Sequence, residues 1–187
     1  MKRRATVLAF SLILALSTSA AWGAGVSLTL KAGLFYPSDE IFKDVYKNVT
    51  FLGGELTVPL AGGLHIWAGA EYFGDTGILP VTLEETKLRI TPVFAGLRYH
   101  FGKSAVKPYF GAAGAVFLFK EENPIGSVSE NGIGVLGQAG ILFKLGGPVG
   151  LDAFVNYRAC TLKTDDEDPL EAKIGGLSAG LGLVVKF

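Results

Sequence analysis

One cysteine, one methionine and two histidines among 187 residues leave little material for several kinds of chemistry. Cys160 has no partner for an internal disulfide, and it lies too far from the N-terminus to be a lipid-anchored cysteine. It reads as a small strand residue. His65 and His100 are the only histidines, and no further ligands accompany them at a matching height, so no metal site is expected. Basic and acidic residues number 17 each, which gives no reason to expect a nucleic-acid partner. The longest apolar run, Val7 to Leu16, is about half of the roughly 20 residues a membrane-spanning helix needs.

That short run has a use of its own. Lys2, Arg3 and Arg4 precede it and small residues follow, the pattern of a cleaved secretory signal peptide. The best cut follows Ala21-Trp22-Gly23, with a cut after Ala20 as the alternative. Residues 1–23 are therefore expected to be the signal peptide and residues 24–187 a single domain. Cleavage removes three basic residues and no acidic ones, leaving 14 against 17 and a formal charge of −3.

Glycine is abundant, with 26 residues, about twice the usual frequency. The glycines are spread through eight segments of alternating hydrophobicity, at about 26–36, 49–60, 64–74, 87–101, 107–120, 132–145, 149–162 and 173–187. In the first, Val26, Leu28, Leu30, Ala32, Leu34 and Tyr36 share one face. In the last, Leu177, Ala179, Leu181, Leu183, Val185 and Phe187 do the same. A soluble sandwich also alternates, but its outer face is wetted and rich in Lys, Glu, Thr and Gln. Here the second face mixes glycine, bulky aromatics such as Phe35, Trp67, Phe94 and Phe154, and a few charges. Two faces that both avoid water suit a closed barrel, with lipid outside and its own side chains packed inside.

The connections carry the same message. AGG, GKSAV and GGP follow segments two, four and six, whereas roughly ten to twelve residues follow one, three, five and seven. Short periplasmic turns, longer outer loops and an even strand count belong to outer-membrane barrels of Gram-negative bacteria. Fourteen of the 17 acidic residues fall in the four long connections; only Glu55, Glu71 and Asp152 lie within strands, all in inward rows. The fold class expected is all-β, an eight-stranded antiparallel up-and-down transmembrane β-barrel.

Four stretches, AGLFYPSDEIFKDVY (32–46), KPYFGAAGAVFLF (107–119), GLDAFVNYRACTLK (150–163) and IGGLSAGLGLVVKF (174–187), resemble the small eight-stranded outer-membrane barrels that include the OmpA membrane domain and proteins of the OmpX and Ail type. The resemblance covers essentially the whole chain and speaks for architecture rather than activity. It implies that Leu181, Leu183, Val185 and Phe187 form the terminal signal read by the outer-membrane insertion machinery. No peptidoglycan-binding domain follows Phe187, so the anchoring role of full-length OmpA does not carry over. The implied surroundings are outer-membrane lipid and lipopolysaccharide.

Chemistry is sparse. Lys31, Arg98, Lys144, Arg158 and Lys186 face the interior with Glu55, Glu71 and Asp152, and an eight-stranded barrel is only just wide enough for its own side chains. Interior ion pairs are expected, Lys31 with Glu55 and Asp152 with Lys186 or Lys144, because an unpaired charge there costs several kcal/mol. Lipid A deacylases and palmitoyl transferases use similar barrels, but they need a base beside a serine at the outer rim. Both histidines are expected at the opposite end, away from Ser38, Ser127 and Ser129, so no catalytic residue is assigned. The acidic stretch TDDEDPLE (164–171) lacks the glycine and ligand spacing of a calcium loop and reads as a solvated loop. In DEIFKDVYK (39–47), Ile41, Phe42, Val45 and Tyr46 form a short helical stripe, expected to cap the mouth.

These expectations describe a monomer without cofactor, with a structural or surface-interaction role and an unspecified surface ligand. The alternative is a narrow passage for small or apolar solutes, in the manner of OmpW-type barrels. The number of bulky lumen residues separates the two.

Overall fold

The computed structural model describes residues 25–38, 49–78, 85–102, 104–123, 126–163 and 171–187. The leader 1–23, the stripe in 39–47 and all of TDDEDPLE except Glu171 lie outside them. Eight strands run β1 (Ser27–Pro37), β2 (Val49–Pro59), β3 (Leu64–Ile78), β4 (Glu85–His100), β5 (Val106–Asn123), β6 (Gly126–Gly146), β7 (Val149–Lys163) and β8 (Glu171–Lys186). Each pairs antiparallel with the next, and β8 returns to β1, closing the barrel. Closure leaves no free sheet edge along the shared registers, as a wall in lipid requires.

Three tight connections lie at one end, hereafter the short-turn end. Gly62 and Gly63 between β2 and β3, and Gly146 at the end of β6 with Gly147 after it, adopt positive φ, a conformation that costs glycine no Cβ clash. At this end the Phe187 amide donates to the Val26 carbonyl at 2.8 Å.

At the other end the strands run farther than the apolar alternation suggests. Residues 121–131, expected as a loop, are mostly hairpin: Asn123 pairs with Gly126, so only residues 124–125 separate β5 from β6. Ile78 likewise pairs with Glu85 and Lys163 with Glu171. Strand pairing is held by backbone hydrogen bonds, which persist where the side chains turn polar and the apolar alternation that marked the segments stops.

The two faces divide cleanly. Outward residues are apolar and uncovered: Leu52 is 66% exposed, Leu181 67% and Ile133 81%. Aromatics border this band at both ends. Tyr36 and Tyr157 flank Leu177 in one row near the long hairpins, while Tyr99, Phe101 and Phe110 cluster near the short turns with ring centroids 5.0 to 6.3 Å apart. Eight residue steps from Leu28 to Tyr36 span about 26 Å along the strand, less along the tilted axis, close to the height of a lipid-facing band.

The inward face is filled mainly by aromatic side chains. Phe35, Phe51, Trp67, Phe73, Phe94, Tyr109, Phe117 and Phe154 are all buried. Phe73 meets Phe51 at 5.0 Å and Phe35 at 5.3 Å between ring centroids, and Trp67 meets Phe94 at 4.9 Å. Aromatics of this size fit because glycines face them across the ladder. Phe154 pairs with Gly180, Phe51 with Gly33 and Phe94 with Gly69. A Cβ at Gly180 would come 2.8 Å from the Phe154 ring, and one at Gly69 2.8 Å from Phe94. The glycine row is thus the seat of the aromatic row.

Candidate functional site

Polar side chains in the inward rows gather into two clusters between the aromatic tiers. The first is centred on Glu55 of β2. Lys31 Nζ lies 2.6 Å from Glu55 Oε1, and Arg98 Nη2 lies 2.6 Å from Oε2, so each carboxylate oxygen meets its own cation. Arg98 also donates to Gln138 Oε1 and, at 3.3 Å, to Thr57 Oγ1; Gln138 Nε2 donates back to Glu55 Oε1 at 3.0 Å. Aromatic faces complete the seat, with the Arg98 guanidinium 4.3 Å from the Trp67 ring and 4.6 Å from Tyr109. Cation–π contact is stronger in a desolvated setting than at an exposed site, so the ring faces help to seat the guanidinium.

Asp152 joins the same cluster, with a partner other than the one expected. Its Oδ2 lies 3.8 Å from Lys31 Nζ, and Tyr109 OH donates to the carboxylate at 2.9 Å. Lys31 and Asp152 both pair with Gly182 of β8, from opposite sides. Because Gly182 has no side chain, Lys31 reaches across it. A Cβ there would come 2.8 Å from Thr29 and 3.3 Å from Lys31. Heights counted along single strands do not show such a gap.

The second cluster is an ion pair between Arg158 and Glu71, with Arg158 Nη1 donating to Ser178 Oγ at 2.8 Å. The Asn156 amide stands 3.3 Å from the second Glu71 oxygen. Phe73 lies beneath the guanidinium at 4.8 Å. Lys31, Arg98 and Arg158 thus stand against Glu55, Glu71 and Asp152, all six buried. A balanced set of buried charges is the arrangement that a low-dielectric interior tolerates.

Lys144 and Lys186 are not brought into this set. They share the inward parity but fall past the last packed layer, exposed at the short-turn rim. Gln138, Tyr109, Asn156, Ser178 and Thr57 are network members that charge alone could not reveal. The usable signal is a polar residue at inward parity inside a spanning strand.

His65 and His100 face each other at the short-turn end, ring centroids 4.2 Å apart, and His100 stacks in turn on Tyr109 at 5.3 Å. His65 Nδ1 lies 2.8 Å from the Gly63 carbonyl oxygen. Among the described residues no three His, Cys, Asp or Glu side chains converge as a metal site would require. Ser38 lies beyond the opposite end of β1, and the Ser127 and Ser129 side chains lie outside the described set.

Two small cavities interrupt the packing. One, beside Phe35, Phe73, Phe117 and Arg158, has a volume of about 10 Å³; the other, beside Ser27, Arg98, His100, Tyr109 and Asp152, is also about 10 Å³. Each has room for about one water. Between them lie the two charge clusters and the buried rings.

No protein-family profile and no curated protein matches this sequence. Likeness appears at the level of solved structures. Neisserial surface protein A superposes with a TM-score of 0.68 at 16% identity, over 87% of this chain and 97% of that one. Ail, the attachment invasion locus protein of Yersinia pestis, in complex with the heparin analogue sucrose octasulfate, gives 0.57 at 17% identity, over 86% and 98%. Outer membrane protein W of E. coli gives 0.56 at 15%, over 88% and 98%. At these identities the likeness establishes the fold, that of the small eight-stranded outer-membrane barrels.

Proposed function

We propose that this chain is an integral barrel of a Gram-negative outer membrane, exported behind a signal peptide cleaved near Gly23, with a structural or surface-interaction role and no catalysis. The observation that carries this reading is the closed lumen. Among the described residues six balanced buried charges and eight buried rings fill the interior, and the two cavities beside them are water-sized. A barrel filled in this way offers partners its outer band and its hairpins. The outer band suits outer-membrane lipid, including lipopolysaccharide at one leaflet, and the hairpins suit a surface ligand.

The orientation follows from the asymmetry of the connections, with the short turns toward the periplasm. Phe187, with Leu181, Leu183 and Val185 before it on the outward row, serves as the signal to the insertion machinery. Closure of the wall within a single chain supports a monomeric working unit. Surface digestion of intact cells is the direct test: protease should cut in the long hairpins and leave the short turns untouched. Cleavage at the short turns in intact cells would reverse the orientation, and a chain extractable by alkaline wash would refute membrane integration. The rival role, a passage for small or apolar solutes, requires solute uptake that a deletion strain loses.

A further inference from the structure

Four buried side-chain nitrogens among the described residues have no hydrogen-bond partner: Trp67 Nε1, Arg98 Nε, His100 Nε2 and Arg158 Nε. Three of them belong to residues that line the two small cavities of the lumen. Arg98 and His100 border the cavity at the short-turn end, and Arg158 borders the one toward the long hairpins. An arginine Nε–H can only donate, and burying it without an acceptor is costly. Each charge cluster thus leaves one arginine donor beside a space the size of about one water.

The two cavities share a volume of about 10 Å³ but differ in chemistry. Around the one beside Arg98 stand the hydroxyls of Ser27, Thr29 and Thr57, the Tyr109 hydroxyl, the Asp152 carboxylate and the His100 imidazole. Thr29 and Thr57 are buried, whereas Ser27 and His100 are half-buried near the rim, which gives solvent a way in. The cavity beside Arg158 is bordered otherwise by the hydrocarbon side chains of Phe35, Phe73, Ile90, Pro92 and Phe117, and by Gly175. The Gly175 carbonyl already accepts from the Ser38 amide at 2.9 Å. The Arg158 guanidinium carbon lies 4.8 Å from the Phe73 ring, and an aromatic face is a weak acceptor that needs no water. A buried water requires about two to four polar partners, and an apolar cavity stays dry.

We propose that the cavity at the short-turn end is a binding site for one ordered water, which joins Arg98 Nε to His100 Nε2, and that the cavity beside Arg158 is dry. The water accepts from the Arg98 Nε–H. It meets His100 Nε2 as donor or acceptor, according to which ring nitrogen carries the proton. A remaining hydrogen goes to an oxygen lining the same cavity, Thr29, Thr57 or the Asp152 carboxylate, which completes three partners. The plug is thereby wet at one end and dry at the other. Solvent entering between the short turns reaches Asp152, the carboxylate of the charge network that borders this cavity, and stops there.

A crystal structure of the folded barrel, at a resolution that shows ordered waters, should place one water within hydrogen-bonding distance of Arg98 Nε and His100 Nε2 and none beside Arg158 Nε. The same division is read by NMR on the full barrel in lipid nanodiscs, from the two Nε–H protons. That of Arg98 should give a cross-peak to water, and that of Arg158 should give none. His100→Phe keeps a ring against Tyr109 and leaves the nearby hydroxyls in place, but removes Nε2. The Arg98 cross-peak should be lost in this variant, while heat-modifiable gel mobility and an unmoved Arg158 Nε–H resonance show that the barrel is folded. A cross-peak that survives unchanged in folded His100→Phe would come from the hydroxyls and overturns the proposal. So does a crystal structure with no water at Arg98, or with one beside Arg158 as well.

Discussion

Arg98 of β4 reaches across the lumen to Glu55 of β2, Nη2 to Oε2 at 2.6 Å, while the same guanidinium lies over Trp67 at 4.3 Å. Trp22 and Trp67 are the two tryptophans of the chain, and Trp22 lies in the proposed leader. In a protein made without residues 1–23, fluorescence therefore reports the packing around this ion pair directly. Glu55→Ala leaves Lys31 and Arg98 without their shared carboxylate and should destabilise the barrel by about 3–5 kcal/mol. Urea unfolding in lipid vesicles, followed at Trp67, measures it. Combined with Arg98→Ala, the double variant should be less damaged than the sum of the single variants by about 0.5–3 kcal/mol, because the two share one interaction.

The glycine seats give a second contrast. Gly180→Ala places a methyl 2.8 Å from the Phe154 ring and against the Ala32 carbonyl, both held by the sheet. Overpacking of this kind costs about 1–3 kcal/mol. Gly114→Ala and Gly137→Ala meet nothing within 4 Å and should be neutral in the same unfolding measurement. If all three behave alike, the lumen is not packed as described.

The outward row should respond to depth. Leu181 pairs with Ala32 and Ala153 near the middle of the band, whereas Leu145 lies beside the short turn after β6. Leu181→Arg should cost about 2–4 kcal/mol in a bilayer and Leu145→Arg about 0–1 kcal/mol, as for charges at the midplane and the interface. Equal costs in urea titrations would argue against a lipid-facing band.

Phe187 is half exposed, and its amide closes the ladder on Val26. If it is read by the insertion machinery, Phe187→Ser should lower the amount of assembled protein in cells. The same variant, refolded from urea into thin lipid vesicles, should reach the heat-modifiable folded form like the parent. A defect of equal size in both settings would make Phe187 a stability residue instead.

The eight strands are legible in the sequence because lipid imposes a strict alternation wherever the wall spans it. Where the wall leaves that band, the alternation relaxes while the hydrogen-bonded ladder continues, so residues 121–131 read as loop although Asn123 pairs with Gly126. Parity likewise finds Lys31, Glu55, Glu71, Arg98, Asp152 and Arg158 on the inside. Height is harder: Lys144 and Lys186 share that parity but emerge at the rim. Asp152 turns to Lys31 because Gly182 between them is bare. Neutral partners such as Gln138 and Asn156 carry no charge to draw attention in a sequence, yet Gln138 bonds to Glu55 and Asn156 stands against Glu71.

The central claim is a lumen closed by its own side chains, and ion flow through single molecules tests it most directly. Purified barrel in a planar bilayer, in concentrated potassium chloride and under applied voltage, should give flat traces without unitary steps. Reproducible conductance steps that survive further purification and vanish when the gene product is omitted would contradict the plug and favour a passage through the barrel.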